Sequence, residues 1–202
     1  MKYQDVISNV NVYGLDESMM GSRSLMKFEA PAEADQTNTA GRPGGHDSFL
    51  NGIIVQFDLT FSNKAWVQAE RYQFLDFVRS QSTIQRITGF DLDQAYNEYV
   101  DPRIVEIMKE KVSAYNELQA DIASLVQEGK DVTTLQDVAN QKYLEIIYSN
   151  PAGFLLSARM TTNYRQLRKI YRQRKDHRLP EWRAFCDWIE TLPHSEYLTE
   201  VK

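Results

Sequence analysis

The stretch that decides the fold is residues 52–62, which read GIIVQFDLTFS. Every second position is apolar, at Ile53, Val55, Phe57, Leu59 and Phe61. Because successive side chains of a strand point to opposite faces, this alternation predicts a β-strand with one buried face and one solvated face. Asn63 then suits a helix N-cap, and we predict a helix from Asn63 to about Val78.

Outward from this strand, the chain alternates between short strands, helices and one long loop. Residues 3–13 and 154–160 predict strands because they are rich in strand-forming or apolar residues. Residues 14–45, which include Gly41-Arg-Pro-Gly-Gly45, predict a long loop. Helices are expected at 163–174 and 180–191. A length of 202 residues fits one large domain, so we predict a single α+β domain over residues 1–202.

The middle of the chain carries the longest helical pattern. Asp101 followed by Pro102 favours helix initiation, because an acidic cap precedes a proline at the first helical position. An apolar stripe that starts at Ile104 predicts core packing, and Gly129 is a natural stop. The segment 102–148 therefore predicts an antiparallel helical hairpin.

Composition restricts the class of protein. Hydrophobic residues make up 42% and charged residues 25%, which is typical of a globular chain with a sizeable core. The net charge of −5 argues against a general nucleic-acid or membrane-surface binder. The single cysteine, Cys186, allows no intrachain disulfide and is typical of a small core residue. The first residues lack a signal-peptide pattern and no stretch is long and apolar enough to span a membrane, so we expect a cytoplasmic protein.

Positive charge is concentrated in residues 159–183, which we call the basic surface. Arg165, Arg168 and Arg172 share one face of the predicted helix by their spacing, whereas Arg174 points away from them. Arginine presents a fork of donors that suits phosphate or carboxylate, so an anion site, above all for a nucleotide phosphate, is one interpretation. A solvated face that balances the acidic helices is the other. A nucleic-acid groove is weaker, since few aromatic residues lie there.

The serines and histidines argue against two common kinds of catalytic site. Ser80 and Ser82 have no histidine near them in sequence, and serine is a weak nucleophile without an activating base. A triad-type hydrolase is therefore disfavoured. His46, His177 and His194 are the only histidines and are far apart in sequence, so we expect no histidine-based metal site.

Several short segments, in this order, resemble the flavin-dependent thymidylate synthases. Gly45-His-Asp-Ser48, followed by the strand, resembles the family's Gly-His-x-Ser segment. Gln68-x-x-Arg71-Tyr72-Gln73 stands where the family has Gln-x-x-Arg-His-Arg. Ser80-Gln81-Ser82 with Arg86 falls near the second half of that motif. The last match is Asn163-Tyr-Arg165-Gln-Leu167, followed by Arg174 and Glu181-Trp-Arg183.

The resemblance implies an α+β, ThyX-like fold, in which an antiparallel sheet is packed with helices, including a long central helical hairpin. It also implies a homotetramer with active sites at subunit interfaces and a deoxyuridine nucleotide as ligand. FAD is the implied cofactor, with NADPH and folate if the family activity is retained. In the family the flavin carries a hydride from the nicotinamide cofactor, and folate supplies the one-carbon unit.

Residues that match family positions take the family's roles by resemblance. The nucleotide-binding candidates are Gln68, Arg86, Arg165 and Arg174, the cofactor-binding candidates are His46, Ser48, Arg71 and Asn163, and the catalytic candidate is Ser82. Ser82 takes the place of the family's active serine only if one residue is inserted. Without that gap Gln81 falls there.

The chain also departs from the family pattern. Tyr72 and Gln73 replace the His-Arg of the signature, which removes positive charge from a flavin- and phosphate-binding site. Asp76 and Arg79 replace serine and glutamate, and Asn51 replaces a glutamate. Each lost charge-assisted hydrogen bond is worth roughly 1.5–3 kcal/mol, so these changes could weaken a flavin site substantially.

Three functions remain open from the sequence. The first is a divergent enzyme of this family. The second is a non-catalytic binding protein, encoded for example by a phage, that contacts a nucleotide, a nucleic acid or a host protein through the basic surface. The third is an interaction protein that uses the helical hairpin, which the charged residues Glu106, Lys109, Glu110 and Lys111 disfavour.

Overall fold

A computed structural model describes residues 1–26, 47–80 and 87–199, with the side chains of residues 22–26 left out. The chain divides into two compact units. Unit 1 consists of Met1–Phe61, Ala65–Ser80 and Ser157–Lys202, and unit 2 consists of Ser62–Lys64 and Gln81–Leu156. That the chain forms a single domain stays a prediction.

Four strands form one sheet in the order β1-β2-β4-β3. The strands are β1 (Ile7–Tyr13), β2 (Ile54–Ser62), β3 (Leu75–Ser80) and β4 (Leu155–Asn163). β1 runs antiparallel to β2, and β3 runs antiparallel to β4. β2 also runs antiparallel to β4, because Asp58 pairs with Arg159 at 3.2 Å and Thr60 pairs with Ser157 at 2.6 Å. The expected antiparallel sheet is confirmed.

The described chain also contains helices. They are α1 (Leu15–Met26), α2 (Asn63–Ala69), α3 (Pro102–Gln127), α4 (Thr133–Ser149), α5 (Tyr164–Arg174), α6 (Pro180–Ile189) and α7 (Glu196–Thr199). Short 3-10 turns lie at Tyr3–Asp5, Ser48–Asn51 and Ile87–Gly89. Within the described ranges, no helix is long and apolar enough to cross a membrane.

The alternating face of β2 forms the centre of the unit 1 core. The five alternating apolar residues from Ile53, directly before the strand, to Phe61 are fully buried, as the sequence pattern predicts. Phe57 packs on Trp188 with ring centroids 4.7 Å apart, and Phe61 packs on Trp182 at 4.9 Å. Burying one such side chain stabilises the fold by about 1.5–3 kcal/mol. α6 therefore covers this face of the sheet.

Unit 2 contains the predicted helical hairpin, formed by α3 and α4. The Asp101 side chain accepts a hydrogen bond from the backbone N–H of Arg103 at 2.9 Å, so it caps α3 as expected. Gly129 has a φ of +72°, a conformation that favours glycine, and α3 stops just before it. Met108 and Ile146 lie fully buried in the core of this unit.

Two predictions about local structure are wrong. The expected loop at 14–45 begins as a helix, α1, whose first turn carries Asp16 and Glu17 and so complements the helix dipole. The remainder of that loop, 27–45, lies outside the described residues. The helix from Asn63 ends at Ala69 rather than near Val78, and the chain continues as β3.

The apolar stripe of α3 is only partly buried. Ile104 and Ile107 belong to the predicted stripe, yet they are exposed. On α4, Leu144 and Tyr148 are exposed as well. The hairpin therefore shows more apolar surface than its charged residues suggest.

Candidate functional site

Unit 1 contains a groove of about 770 Å³, and α5 forms one of its walls. We call this groove the cationic groove, because its described lining includes four cationic side chains and one carboxylate, those of Arg165, Arg168, Lys169, Arg172 and Asp47. The uncharged lining residues are Asn51, Gln73, Phe74, Asn163, Gln166 and Gln173. The excess of positive charge favours an anionic ligand.

The sequence of α5 explains why its cations meet in the groove. Asn163 caps the helix, since its side-chain oxygen accepts the backbone N–H of Gln166 at 2.8 Å. Leu167 and Ile170 are fully buried and fix the inward face of the helix. The predicted common face of Arg165, Arg168 and Arg172 is confirmed, because all three line the same groove.

Arg168 is buried at the edge of the groove, where it forms an ion pair with Asp47. Their side chains are 8% and 12% exposed, and the Arg168 Nη2 donates to an Asp47 carboxylate oxygen. Arg165 Nη2 lies 3.6 Å from the other Asp47 oxygen, but its side chain is half-exposed. Asp47 therefore holds one arginine in place while the other can still reach a ligand.

Two buried donors of the lining have no acceptor among the described residues. They are the Nη1 of Arg168 and the Nε2 of Gln166. A buried donor without a partner is costly and uncommon. Both atoms are closed to solvent, so it is the exposed cations Arg165, Lys169 and Arg172 that make the groove fit a ligand rich in oxygen acceptors.

A second polar cluster lies beside the groove, around Arg174. The Arg174 Nη1 donates to the Gln68 side-chain oxygen at 2.9 Å, and its Nε donates to the Tyr72 hydroxyl at 2.7 Å. The Trp182 ring N–H donates to the same Gln68 oxygen at 2.9 Å, and the Arg174 guanidinium lies 4.9 Å from the Trp182 ring centroid. We call these four residues the Arg174 cluster.

The Arg174 cluster adjoins the groove through one hydrogen bond. The Tyr72 hydroxyl donates to the side-chain oxygen of Gln173 at 2.9 Å, and Gln173 lines the groove. Arg174 itself is absent from the described lining, which confirms that it points away from Arg165, Arg168 and Arg172. The oxygen of Gln68 already accepts two hydrogen bonds, so it is largely occupied within the protein.

The predicted site residues fall into three groups. Asn163 and Arg165 line the cationic groove, and Gln68 and Arg174 meet in the neighbouring cluster. Ser48 and Arg71 are exposed, in the turn after Asp47 and in the turn after α2. The candidates that lie outside the described residues are His46, Ser82 and Arg86.

His177 and Cys186 are structural residues. Burial, aided by the charges of Arg174 and Arg183, lowers the pKa of His177, and its Nδ1 accepts the backbone N–H of Leu179 at 3.1 Å. Burial raises the pKa of the Cys186 thiol to about 12, so the expected core role of this residue is confirmed. The described part of the chain holds no group of three or more residues with metal-ligand chemistry.

Five lining residues were not singled out as site residues from the sequence, namely Asp47, Phe74, Gln166, Lys169 and Gln173. Lys169 belongs to the basic surface, and Asp47 belongs to the Gly-His-Asp-Ser segment, so charge is the signal that could have found both. Gln166 carries no such signal. Phe74 falls within the helix predicted from Asn63 to about Val78, and the early end of α2 places it in the groove instead.

The fold is that of the flavin-dependent thymidylate synthases. A crystal structure of thymidylate synthase X (ThyX) from Helicobacter pylori with FAD and dUMP matches with a TM-score of 0.60 and 16% identity, over 96% of this chain and 98% of that chain. A second ThyX structure from the same organism, complexed with FAD and dUMP, matches with a TM-score of 0.58 and 15% identity over the same shares. The predicted fold class is thereby confirmed.

Sequence comparison adds no further relative. No protein-family profile matches the chain, and no curated protein matches it.

Proposed function

We propose that this chain is a divergent, flavin-dependent thymidylate synthase-like protein that binds a deoxyuridine nucleotide and FAD. The observation that carries the proposal is the cationic groove, in which four cations against one carboxylate favour a phosphate-bearing ligand. The fold likeness to proteins crystallised with FAD and dUMP supports the choice of ligand.

The residues of the groove fit a phosphate group. Arg165 is half-exposed and offers a fork of donors that can bind phosphate oxygens in pairs. Lys169 is exposed and adds a point charge, while Arg168 is held behind the groove by its ion pair with Asp47. Asn163 uses its side-chain oxygen to cap α5, so its amide N–H group is what it could offer to a ligand.

The Arg174 cluster is proposed to contact the base of the nucleotide. Within the described part of the chain, the hydrogen bonds of the cluster leave the Nη2 of Arg174 and the amide nitrogen of Gln68 as donors for a base. A flavin, once bound, would supply hydride-transfer chemistry. Roles for Ser48, Arg71 and the candidates outside the described residues stay proposals, as do NADPH, folate, a homotetramer and a cytoplasmic location.

A non-catalytic binding protein is the second candidate function. Its supporting observation is Tyr72, which replaces the family histidine and whose hydroxyl accepts from Arg174 and donates to Gln173. A tyrosine in this place completes a hydrogen-bond network within the protein, and it adds no positive charge that could bind a ligand. Gln73, which lines the groove in place of the family arginine, removes a further charge. Such a protein would bind a nucleotide without turning it over.

A visible absorption spectrum separates the two functions. The purified protein is incubated with excess FAD, and unbound FAD is then removed by gel filtration. The enzyme-like function predicts a retained flavin band at roughly 450 nm. Bound flavin that NADPH has reduced should then be reoxidised only when dUMP and the one-carbon folate are both added, because the carbon transferred to dUMP accepts the hydride. A protein that binds dUMP but retains no flavin would support the non-catalytic function, and one that binds neither would contradict the proposal.

A further inference from the structure

Phe74 is an exposed aromatic residue in an unusual backbone conformation. Its side chain is 63% exposed and lines the cationic groove. Its φ is +59°, in the left-handed region that bulky residues rarely adopt. Strain of this kind costs about 1–3 kcal/mol, persists only where the surroundings enforce it, and is concentrated at functional sites.

The surroundings of Phe74 enforce this conformation from both sides. Tyr72 and Leu75 are buried, so the chain is anchored shortly before and directly after Phe74. The Thr162 hydroxyl donates to the backbone carbonyl of Phe74 at 2.6 Å, which fixes the peptide that follows it. The backbone that carries the ring is therefore held at the groove.

An exposed aromatic ring beside several cations suits one class of ligand. The faces of an aromatic ring bind other flat rings by stacking, whereas arginines bind phosphate oxygens. A plain inorganic anion would make no use of the ring, and an apolar ligand would make no use of the cations. Together the two features favour a molecule that has both a flat aromatic ring and a phosphate group.

We infer that Phe74 is the ring-stacking residue of the cationic groove. The ligand is then a phosphorylated compound with a planar aromatic ring, the chemistry shared by a pyrimidine nucleotide and a flavin nucleotide. This inference rests on the proposed function and deepens it, since it assigns the recognition of the ring to a residue of this chain. Phe74 selects ligands with a ring, and the cations of α5 hold the phosphate.

The test compares ligands with and without a ring. Binding of dUMP, FAD and inorganic pyrophosphate is measured by titration calorimetry for the wild type and for Phe74→Ala, Phe74→Tyr and Tyr148→Ala. Tyr148 is 86% exposed and belongs to unit 2, so its variant controls for the loss of an exposed aromatic side chain. Circular dichroism confirms that each variant is folded.

We expect Phe74→Ala to weaken the binding of dUMP or FAD by about tenfold, which is the usual size of one lost stacking contact. Pyrophosphate should bind as in the wild type, and Phe74→Tyr and Tyr148→Ala should leave all affinities unchanged. Equal binding of the ring ligands by wild type and Phe74→Ala would overturn the inference alone. Equal weakening of ring ligands and pyrophosphate would overturn it too, since Phe74 would then only shape the groove. A wild type that binds none of the three would overturn the proposed function as well.

Discussion

Arg168 illustrates how single residues prepare the groove for an anion. A guanidinium cannot lose its charge in a protein, so its burial requires a carboxylate close by. Asp47 supplies that carboxylate from the loop before β2, 121 positions away in sequence. One nitrogen of Arg168 still lacks an acceptor among the described residues. The pair carries no net charge, so the excess positive charge of the groove comes from Arg165, Lys169 and Arg172.

Removing Asp47 should destabilise unit 1. Asp47→Ala leaves Arg168 as a buried cation without its partner, and we expect a loss of about 3 kcal/mol in the free energy of unfolding. The double variant Asp47→Ala/Arg168→Met should recover much of this loss, because no buried charge remains. Urea unfolding followed by tryptophan fluorescence measures the change, and Trp66, Trp182 and Trp188 all belong to unit 1. A single variant that unfolds like the wild type would show that the pair is not buried in solution.

At the scale of residues, the sequence predicted the face that carries Arg165, Arg168 and Arg172, because helical spacing is a local property. It could not predict the Asp47 contact, which depends on how the chain folds back. Phe74 was missed for a different reason. An isolated phenylalanine in an apolar pattern is normally a core residue, and only its φ and its exposure distinguish it.

At the scale of elements, the sequence predicted the strand and the helix ends that have strong local patterns, but it missed one helix and one strand. β2, the cap at Asp101 and the stop at Gly129 were all predicted, because alternation, capping and left-handed glycines act locally. α1 was missed because the glycines of the following segment obscured a short helical pattern. β3 was missed because its pairing with β4 overrides the helical spacing of its apolar residues.

Replacing either of two glycines, one before α1 and one within it, by alanine should change the stability of the fold in opposite directions. Gly14 has a φ of +67°, and a Cβ there would lie 2.7 Å from the Gly52 carbonyl oxygen, so Gly14→Ala should cost about 2 kcal/mol or more. Gly21 lies within α1 with no atom within 4 Å of such a Cβ, so Gly21→Ala should stabilise by up to about 1 kcal/mol. Urea midpoints of the two variants measure both effects. A Gly14→Ala variant as stable as Gly21→Ala would contradict the described start of α1.

At the scale of the whole molecule, the fold is conserved in outline although the sequence is not. The likeness to ThyX extends over 96% of this chain at only 16% identity, which is possible because a fold depends on the pattern of buried residues more than on their identities. A site depends on particular side chains instead. The fold class could therefore be predicted from short matches, whereas the function needs direct measurement.

The most direct test is a calorimetric titration with dUMP of the wild type, Arg165→Ala and Arg178→Ala. Both arginines belong to the basic surface, but only Arg165 is in the described lining of the groove. We expect the wild type to bind dUMP, Arg165→Ala to bind at least about tenfold more weakly through the loss of a charge-assisted hydrogen bond, and Arg178→Ala to bind like the wild type. No binding by the wild type, or equal weakening by the two substitutions, would contradict a nucleotide site in the cationic groove.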